Sequence, residues 1–445
     1  MKLWQKDTSI DKKIESFTIG RDAELDLFLA PFDVLGSIAH ITMLESINLL
    51  EKEELEILTK SLQEIYKDAK EGKFVIEDGV EDVHSQVEKM LTEKLGDTGK
   101  KIHSGRSRND QVLLDLRLFI REEIRLITEG VEKLFNRLIE LSEQYKSVLI
   151  PGYTHFQVAM PSSFGLWFGA YAESLTDDLL LLQAAYKITN QNPLGSAAGY
   201  GSSFPLNRTM TTELLGFDDL SYNVVYAQMG RGKTEKTVAF ALNSIASTLG
   251  KMAMDVTLYM NQNFGFLTFP DHLTTGSSIM PHKKNPDVFE LIRARCNKIQ
   301  SIATEIGMTT GNLPSGYHRD FQIMKESFFD GLQDIKTCLE ITEYMLQHII
   351  IKENIINDDR YRFIFSVEEV NKMVLGGMSF RDAYKKVGMS IEEGTYEEAK
   401  EVAHTHEGSI GNLCNEQIKA KLDKALAGFG FDTVLAAEKG LLGVE

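Results

Sequence analysis

Hydrophobic residues recur every three or four positions along several long stretches of this chain. One run comprises Leu113, Leu116, Ile120, Ile124, Ile127, Val131, Leu134, Leu138 and Leu141. A second lies between Val238 and Tyr259, and a third between Leu332 and Ile349. This spacing places the apolar side chains on one face of a helix. Because each run lasts about 20 to 30 residues, longer than the usual helix, the pattern predicts long helices.

The positions of the prolines agree with this prediction. No proline lies between Pro31 and Pro151, and none follows Pro314. Proline interrupts helix interiors, so both proline-free stretches permit continuous helices. Long helices with one apolar stripe must bury those stripes against each other, which predicts a bundle. A coiled-coil rod fits the same spacing, but the loops between these helices are unusual for a rod.

We therefore expect a mainly α protein with a long central helical bundle flanked by two smaller helical domains. The bundle is predicted over residues 108–355, the first flanking domain over 1–107 and the second over 356–445. No repeat of solenoid period is apparent.

Composition narrows the class of protein. The 445 residues are 43% hydrophobic and 25% charged, as in globular proteins. A net charge of −17 argues against a nucleic-acid or anionic-membrane partner. Cys296, Cys338 and Cys414 are too widely spaced to indicate a disulfide framework or a zinc site. Because neither a signal-peptide core nor a membrane-length apolar run is present, we expect a cytoplasmic protein.

Residues 274–287 form the most distinctive segment between the predicted helices. Glycine and serine precede Lys283 and Lys284, and Asn285-Pro286 predicts the N-cap and first position of a helix. Lysines beside a helix N terminus favour a carboxylate or phosphate ligand. The alternative is an ordinary solvated loop before a capped helix, which is the commoner situation.

Two further segments carry similar chemistry. Residues 103–111 place Arg106, Arg108 and Asn109 at a helix start, which suits a carboxylate, although the arginines could instead pair with local acids. Residues 151–157 form a turn with Thr154 and His155, and histidine is the natural acid or base near neutral pH. A lone histidine is more often a packing residue, and the same reservation applies to residues 81–84 and 317–322.

The combination of these segments favours acid–base chemistry on an anionic substrate. Bundle ends can bring such segments together within one chain or across an oligomer. Metal-ligand spacings, a P-loop and a dinucleotide fingerprint are all missing from the sequence, so we expect neither a metal nor a cofactor.

These segments, taken in order, resemble the fumarase/aspartase superfamily. Its hallmark loop is similar to residues 276–286, and residues 106–111 are typical of the branch that cleaves argininosuccinate. The other matching segments are residues 36–40, 81–84, 151–155, 193–196, 317–322 and 380–384.

The resemblance implies a homotetramer whose active sites are each shared between three subunits. The implied reaction is the reversible β-elimination of argininosuccinate to L-arginine and fumarate, the last step of arginine biosynthesis. A base removes a proton next to a succinyl carboxylate, and the site must stabilise the charge that develops there.

The resemblance also implies residue roles. Ser277 is the expected base, His155 the expected acid for the departing guanidino group, and Lys283 the cation beside the charged carboxylate. Sequence alone leaves open which of Ser277 and His155 is base and which is acid. The expected substrate-binding residues are Arg108, Asn109, Thr154, Asn285, Tyr317, Gln322 and Lys325. Supporting positions are Asp82, His84 and Ser278.

The chain departs from the family pattern in four places. His282 replaces a glutamine of the loop, as in adenylosuccinate lyases, and residues 223–231 replace an Asp-rich stretch. Residues 4–8 replace an N-terminal Trp-Gly-Gly-Arg-Phe pattern, and an early binding serine has no clear counterpart in residues 17–33. These changes bear on the arginine side of the site more than on the elimination.

Two other interpretations compete with this one. Another succinyl substrate, such as adenylosuccinate or a modified argininosuccinate, is supported by His282. A non-catalytic, crystallin-like structural protein could share the scaffold, but the complete set of reactive residues argues against it. A bare bundle or partner-binding module leaves the three loops unexplained.

Overall fold

The computed structural model describes residues 11–398 and 400–444, without the side chain of Glu15. The departure at residues 4–8 therefore lies outside the described residues. The helices of the first half are α1 (Lys12–Ile19), α2 (Asp22–Asp26), α3 (Ala30–Ser46), α4 (Lys52–Lys70), α5 (Val83–Leu95), α6 (Asp97–Lys100), α7 (Arg108–Gln144), α8 (Phe164–Thr189) and α9 (Arg208–Leu214). Those of the second half are α10 (Val224–Met229), α11 (Lys233–Met260), α12 (Asp287–Thr309), α13 (Met324–Gln347), α14 (Ser366–Leu375), α15 (Phe380–Glu392), α16 (Asn415–Ala427) and α17 (Phe431–Leu442).

Short strands form three two-stranded pairs within the described ranges. Strands β1 (Leu149–Thr154) and β2 (Gln157–Ser163) make an antiparallel hairpin. The remaining strands are β3 (Gln191–Asn192), β4 (Asp219–Leu220), β5 (Leu267–Thr268) and β6 (Ile350–Ile351). Strand β3 pairs in parallel with β4, and β5 pairs antiparallel with β6. These pairs tie loops together at the ends of the helices.

The mainly α prediction is confirmed, and the three apolar runs lie on α7, α11 and α13, except that Ile349 follows the end of α13. Helix α7 is 37 residues long. Its N terminus is a capping box, because Ser107 Oγ accepts a hydrogen bond from the backbone of Asn109, and the backbone N–H of Ser107 donates one to the Asp110 carboxylate. The apolar stripe of α7 is buried against α3, α8 and α13.

Two bundle helices were not predicted from apolar runs. Helix α8 buries residues on several faces, among them Phe164, Phe168 and Tyr171, so it shows no single stripe. Helix α12 packs against α11 and α13 and completes the bundle. A helix that is apolar nearly all round lies inside the molecule, and its sequence loses the periodic signal.

The predicted start of α12 was wrong by one residue. The helix begins at Asp287, and Pro286 occupies the N-cap position instead of Asn285. The Asn285 side chain instead donates hydrogen bonds of 3.4 Å to Thr275 Oγ1 and 3.3 Å to the Gly276 carbonyl. Asn285 therefore closes the preceding loop and leaves the first turn of the helix uncapped by a side chain.

The C-terminal region divides between two cores. Val370, Ala383, Val387 and Tyr396 form a small cluster of their own around α14 and α15. Helix α16 packs on α8, and α17 packs on α3 and α9, so both join the main core. The domain boundaries at residues 107 and 355 remain predictions.

Among the residues that the structure describes, no helix combines enough length with enough apolar character to span a membrane.

Candidate active site

A cavity of about 210 Å³ lies where α2, the start of α7 and the segment before α13 meet. Seven of the predicted site residues line it, although they are spread widely along the chain: Asp82, His84, Arg108, Asn109, Tyr317, Gln322 and Lys325. The remaining lining residues are Thr18, Ile19, Asp22, Asp26, Glu81, Val112, Arg231 and Arg319. This concentration of charge in one concave site makes it the candidate active site.

Arginine–carboxylate pairs close one side of the cavity. Arg108, the first residue of α7, donates a 2.9 Å hydrogen bond to Glu81 and also binds Asp82. Arg319 donates to the other oxygen of Glu81 at 3.1 Å. Arg108 thus pairs with Glu81 and Asp82, whereas Asp110 and Asp115, the acids nearest to it in sequence, are buried outside the lining of the cavity.

His84 is a buried residue on the lining of the cavity. Its Nδ1 lies 2.7 Å from Asp33 Oδ1 and 3.4 Å from Asp115 Oδ2, and all three residues are buried. Burial alone would lower the pKa of His84, but the carboxylates of Asp33, Asp115 and Asp82 raise that pKa to about 9. Since Asp33 occupies Nδ1, the Nε2 atom is left to donate a hydrogen bond to a ligand in the cavity.

The same three side chains could in principle hold a metal ion. Donor atoms of Asp33, His84 and Asp115 lie within 4.8 Å of one another. A metal needs an unprotonated imidazole nitrogen, however, and the surrounding carboxylates raise the pKa of His84 to about 9, which favours the protonated ring. The donor set fits a buried ion pair better than a metal centre.

The hallmark loop projects from the N terminus of α12. It is closed at its base by Thr275 and Asn285, whose backbones pair at 2.9 Å. Lys284 forms an ion pair with Asp271, whereas Lys283 has no ion pair with any residue in the described ranges. Ser277 Oγ accepts hydrogen bonds from the backbone of Ile279 at 3.4 Å and of Met280 at 3.2 Å.

His155 lies at the tip of the β1–β2 hairpin, which the sequence described only as a turn. Thr154 pairs with Gln157, so His155 and Phe156 are the two loop residues. Both have positive φ, 55° and 57°. Hairpin loops of this kind prefer Asn and Gly, and a left-handed backbone costs other residues about 1–2 kcal/mol each. Backbone strain of this kind is concentrated at functional sites.

One chain does not bring all the predicted residues together. The loop residues Ser277, Ser278, Lys283 and Asn285 and the hairpin residues Thr154 and His155 are absent from the described lining of the cavity. His282 lies on the wall of another cavity, of about 400 Å³, with Lys284 and Lys352.

Sequence reasoning missed the acidic wall formed by Asp22 and Asp26 and did not assign Arg231 to the site. Asp22 and Asp26 are four residues apart on α2, but their partner Lys325 lies about 300 positions further along the chain. Arg231 ends the replaced stretch that begins at Asn223, a residue that caps α10. In the sequence, the acidic pair and Arg231 therefore stand out only as isolated charged residues.

Comparison with known proteins places this helical chain among the lyases. A family model described as "Lyase" matches residues 3–301, and the chain belongs to that family. Over 99% of both chains it is 65% identical to proteins named argininosuccinate lyase from Bacteroides fragilis and Bacteroides thetaiotaomicron. The chain is therefore a member of the argininosuccinate lyase branch of the fumarase/aspartase superfamily.

A solved structure shows the same fold at lower identity. The crystal structure of EDDS lyase in complex with formate matches with a TM-score of 0.72 and 21% identity, over 98% of this chain and 95% of that chain.

Proposed function

We propose that this protein catalyses the reversible β-elimination of argininosuccinate to L-arginine and fumarate. The observation that carries the proposal is the cavity beside Arg108 and Lys325, where residues from five distant segments present cations, carboxylates and an imidazole. The 65% identity to proteins named argininosuccinate lyase supports the same reaction.

The elimination breaks two bonds of the succinyl group. A base removes the proton from the carbon next to a carboxylate, and the electron pair left on that carbon spreads into the carboxylate. As the bond to the guanidino nitrogen breaks, this pair forms the double bond of fumarate, and the nitrogen takes a proton from an acid as arginine leaves. The charge that accumulates on the carboxylate before the second step is what the site must stabilise.

Ser277 is the proposed base. A serine hydroxyl removes a proton poorly unless its oxyanion is stabilised. Hydrogen bonds donated to Ser277 Oγ by the backbone of Ile279 and Met280 favour that charged form. The ammonium of Lys283, which has no carboxylate partner among the described residues, adds positive charge to the same loop.

His155 is the proposed acid, and Thr154 the residue beside it that positions the substrate. Lys283 and Asn285 would hold the carboxylate that accumulates charge. Arg108 and Asn109 would bind a substrate carboxylate at the start of α7, in place of part of the Glu81 contact. Tyr317, Gln322 and Lys325 form the arginine side, and Asp82, His84 and Ser278 support these groups.

We propose that the complete site forms in a homotetramer located in the cytoplasm. Exposed apolar side chains on the bundle helices support an oligomer, since Leu180, Phe240 and Leu291 are 53%, 56% and 62% exposed in the single chain. The loop and the hairpin that lie outside one chain's cavity would then meet the cavity of a neighbouring chain.

The proposal is tested by the absorbance of fumarate released from argininosuccinate, with adenylosuccinate in parallel. Release from argininosuccinate alone is expected, and release from adenylosuccinate alone would overturn the substrate. Ser277→Ala should abolish exchange of the succinyl proton with solvent, while Ser301→Ala, on the exposed side of α12, should retain it. Near-normal exchange in Ser277→Ala would remove Ser277 as the base.

A further inference from the structure

The N-terminal wall of the cavity is held in place by α13 and the turn before it. Gln322 Nε2 donates hydrogen bonds of 2.9 Å to the carbonyls of both Thr18 and Ile19. Lys325 Nζ binds Asp22 and lies 2.6 Å from Asp26 Oδ1. Gln322 and Lys325, which are expected to bind the arginine part, therefore already use hydrogen-bond donors to hold this wall.

Lys325 lies between the carboxylates of Asp22 and Asp26, and Arg231 adds a further positive charge near Asp22. Lys325 and Asp26 are buried, and the second oxygen of Asp26 accepts a 3.4 Å hydrogen bond from the backbone of Val83. The Asp22 oxygen nearest Lys325 is Oδ1, and Oδ2 accepts no hydrogen bond from the residues that the structure describes. The Asp22 side chain is 20% exposed and lines the cavity.

In the other two acids on the lining, Glu81 and Asp82, both carboxylate oxygens already accept a hydrogen bond. Glu81 uses one oxygen for Arg108 and the other for Arg319. Asp82 uses one oxygen for Arg108 and the other for the backbone of Ser85, at 2.9 Å. Asp22 is thus the acid whose carboxylate is open to a ligand, among the described residues of the lining.

Such a carboxylate favours a cationic ligand group. Burial raises the pKa of Asp22, although Lys325 lowers it, so the charged form gains from a further positive neighbour. An ammonium also uses three donors, of which Lys325 has committed two to Asp22 and Asp26. A neighbouring carboxylate acceptor and cationic donor are complementary to the two charges of an α-amino acid.

We propose that Asp22 selects the amino acid at the leaving end of the substrate by binding its α-ammonium group through Oδ2. The inference rests on the proposed function, in which the guanidino group carries the scissile bond and lies beside the hallmark loop. The α-ammonium is at the far end of the same molecule, and its carboxylate would take the remaining donor of Lys325. Asp22 is thus an additional binding residue for this reaction, one that the family pattern does not supply.

The test uses the addition direction, in which fumarate consumption is followed with either arginine or 5-guanidinopentanoic acid. The second compound lacks only the α-amino group. For Asp22→Asn, we expect the KM for arginine to rise at least about tenfold, the scale of a lost charged hydrogen bond. The KM for 5-guanidinopentanoic acid should change less than about twofold, the scatter expected of a substitution that removes no contact to that acceptor.

Glu24→Gln is the matched control, since Glu24 is on the same helix but exposed and paired with Arg21. It should leave both KM values unchanged. An equal rise for both acceptors in Asp22→Asn, or no rise for arginine, would overturn the inference. If Asp22→Asn fails to fold, the unaltered protein decides the question, because equal KM values for the two acceptors would overturn it as well.

The proposed function and this inference can fail separately. Absence of any turnover with arginine and fumarate in the unaltered tetramer would overturn the reaction. Titration calorimetry of arginine and of 5-guanidinopentanoic acid would still report on Asp22, with weaker binding of arginine alone expected for Asp22→Asn. Unchanged arginine binding in that variant would overturn the role of Asp22 whatever the reaction.

Discussion

His155 and Phe156 are neighbours in sequence and share a left-handed backbone, with φ of 55° and 57° at the tip of one hairpin. Neither is glycine, so the turn keeps two strained residues where Asn-Gly would fit without strain. This left-handed backbone sets the direction in which the side chain of His155 points away from the hairpin.

Phe156→Gly and Phe156→Ala both remove the exposed ring, but only glycine relieves the backbone. We expect Phe156→Gly to be more stable than Phe156→Ala by about 1 kcal/mol. Because the relaxed turn holds His155 less firmly, kcat should be lower in Phe156→Gly. Thermal unfolding and fumarate release measure the two effects, and equal stability of the variants would contradict the strained turn.

His84 should make stability depend on pH. Its pKa is raised from 6.5 to about 9, so its contribution is complete below pH 6.5 and is lost as the pH rises through 9. A shift of this size corresponds to about 3 kcal/mol. We expect His84→Gln to flatten the decline in unfolding free energy between these pH values, measured by urea denaturation at one protein concentration.

His40 is the control for that measurement. It is also buried, but burial and the nearby Arg106 lower its pKa well below the usual value. Above about pH 7.5 an unfolded histidine is also mostly neutral, so His40 is neutral in both states over the upper part of this pH window. His40→Gln should therefore leave the slope between about pH 7.5 and 9 as it is, and an equal flattening there by both variants would contradict the role given to the His84 ion pairs.

Gly165 allows α8 to lie against the end of α7. A Cβ added there would meet the Lys146 Cα at 2.7 Å and the Ser142 carbonyl oxygen at 2.9 Å. Because backbone atoms cannot rotate away, we expect Gly165→Ala to cost about 1–3 kcal/mol. Gly388 in α15 has open space around the same position, so Gly388→Ala should add about 0.5–1 kcal/mol. Denaturant titration of the two variants checks both signs.

The exposed apolar face of the bundle should control assembly. Leu291 on α12 is 62% exposed, and Leu375 on α14, outside the bundle, is 90% exposed. We expect Leu291→Glu to dissociate the proposed tetramer and reduce kcat at least about tenfold, because a desolvated carboxylate opposes the interface and sites shared between chains would be lost. Leu375→Glu should change neither mass nor activity; light scattering after gel filtration gives the mass, and an intact tetramer in Leu291→Glu would contradict the prediction.

The sequence predicted the long helices wherever one face alone is apolar, as on α7, α11 and α13. It did not predict α8 from an apolar run, because burial on several faces removes the periodic signal that distinguishes a helix. The Asn285 prediction failed for a different reason. Its side chain can satisfy a loop as well as a helix, and the pairing with Thr275 decided between them.

The site was predictable where its residues are neighbours in sequence. Arg108 and Asn109 stand together at a helix start, and both line the cavity. The contact between Asp26 and Lys325 joins residues 299 positions apart, and local pattern holds no information about such a pair. Asp22 could be recognised as a binding residue only after the partners of every neighbouring carboxylate were known.

The hydrogen bonds from Gln322 to Thr18 and Ile19 have a consequence for biosynthesis. They join residues 304 and 303 positions apart. A ribosome adding about 5–20 residues per second needs at least 15 seconds to deliver the second partner after the first. During that time α1 and α2 have no α13 to dock on, so the nascent chain carries an open N-terminal segment, and the cavity wall is completed only after three quarters of the protein has been synthesised.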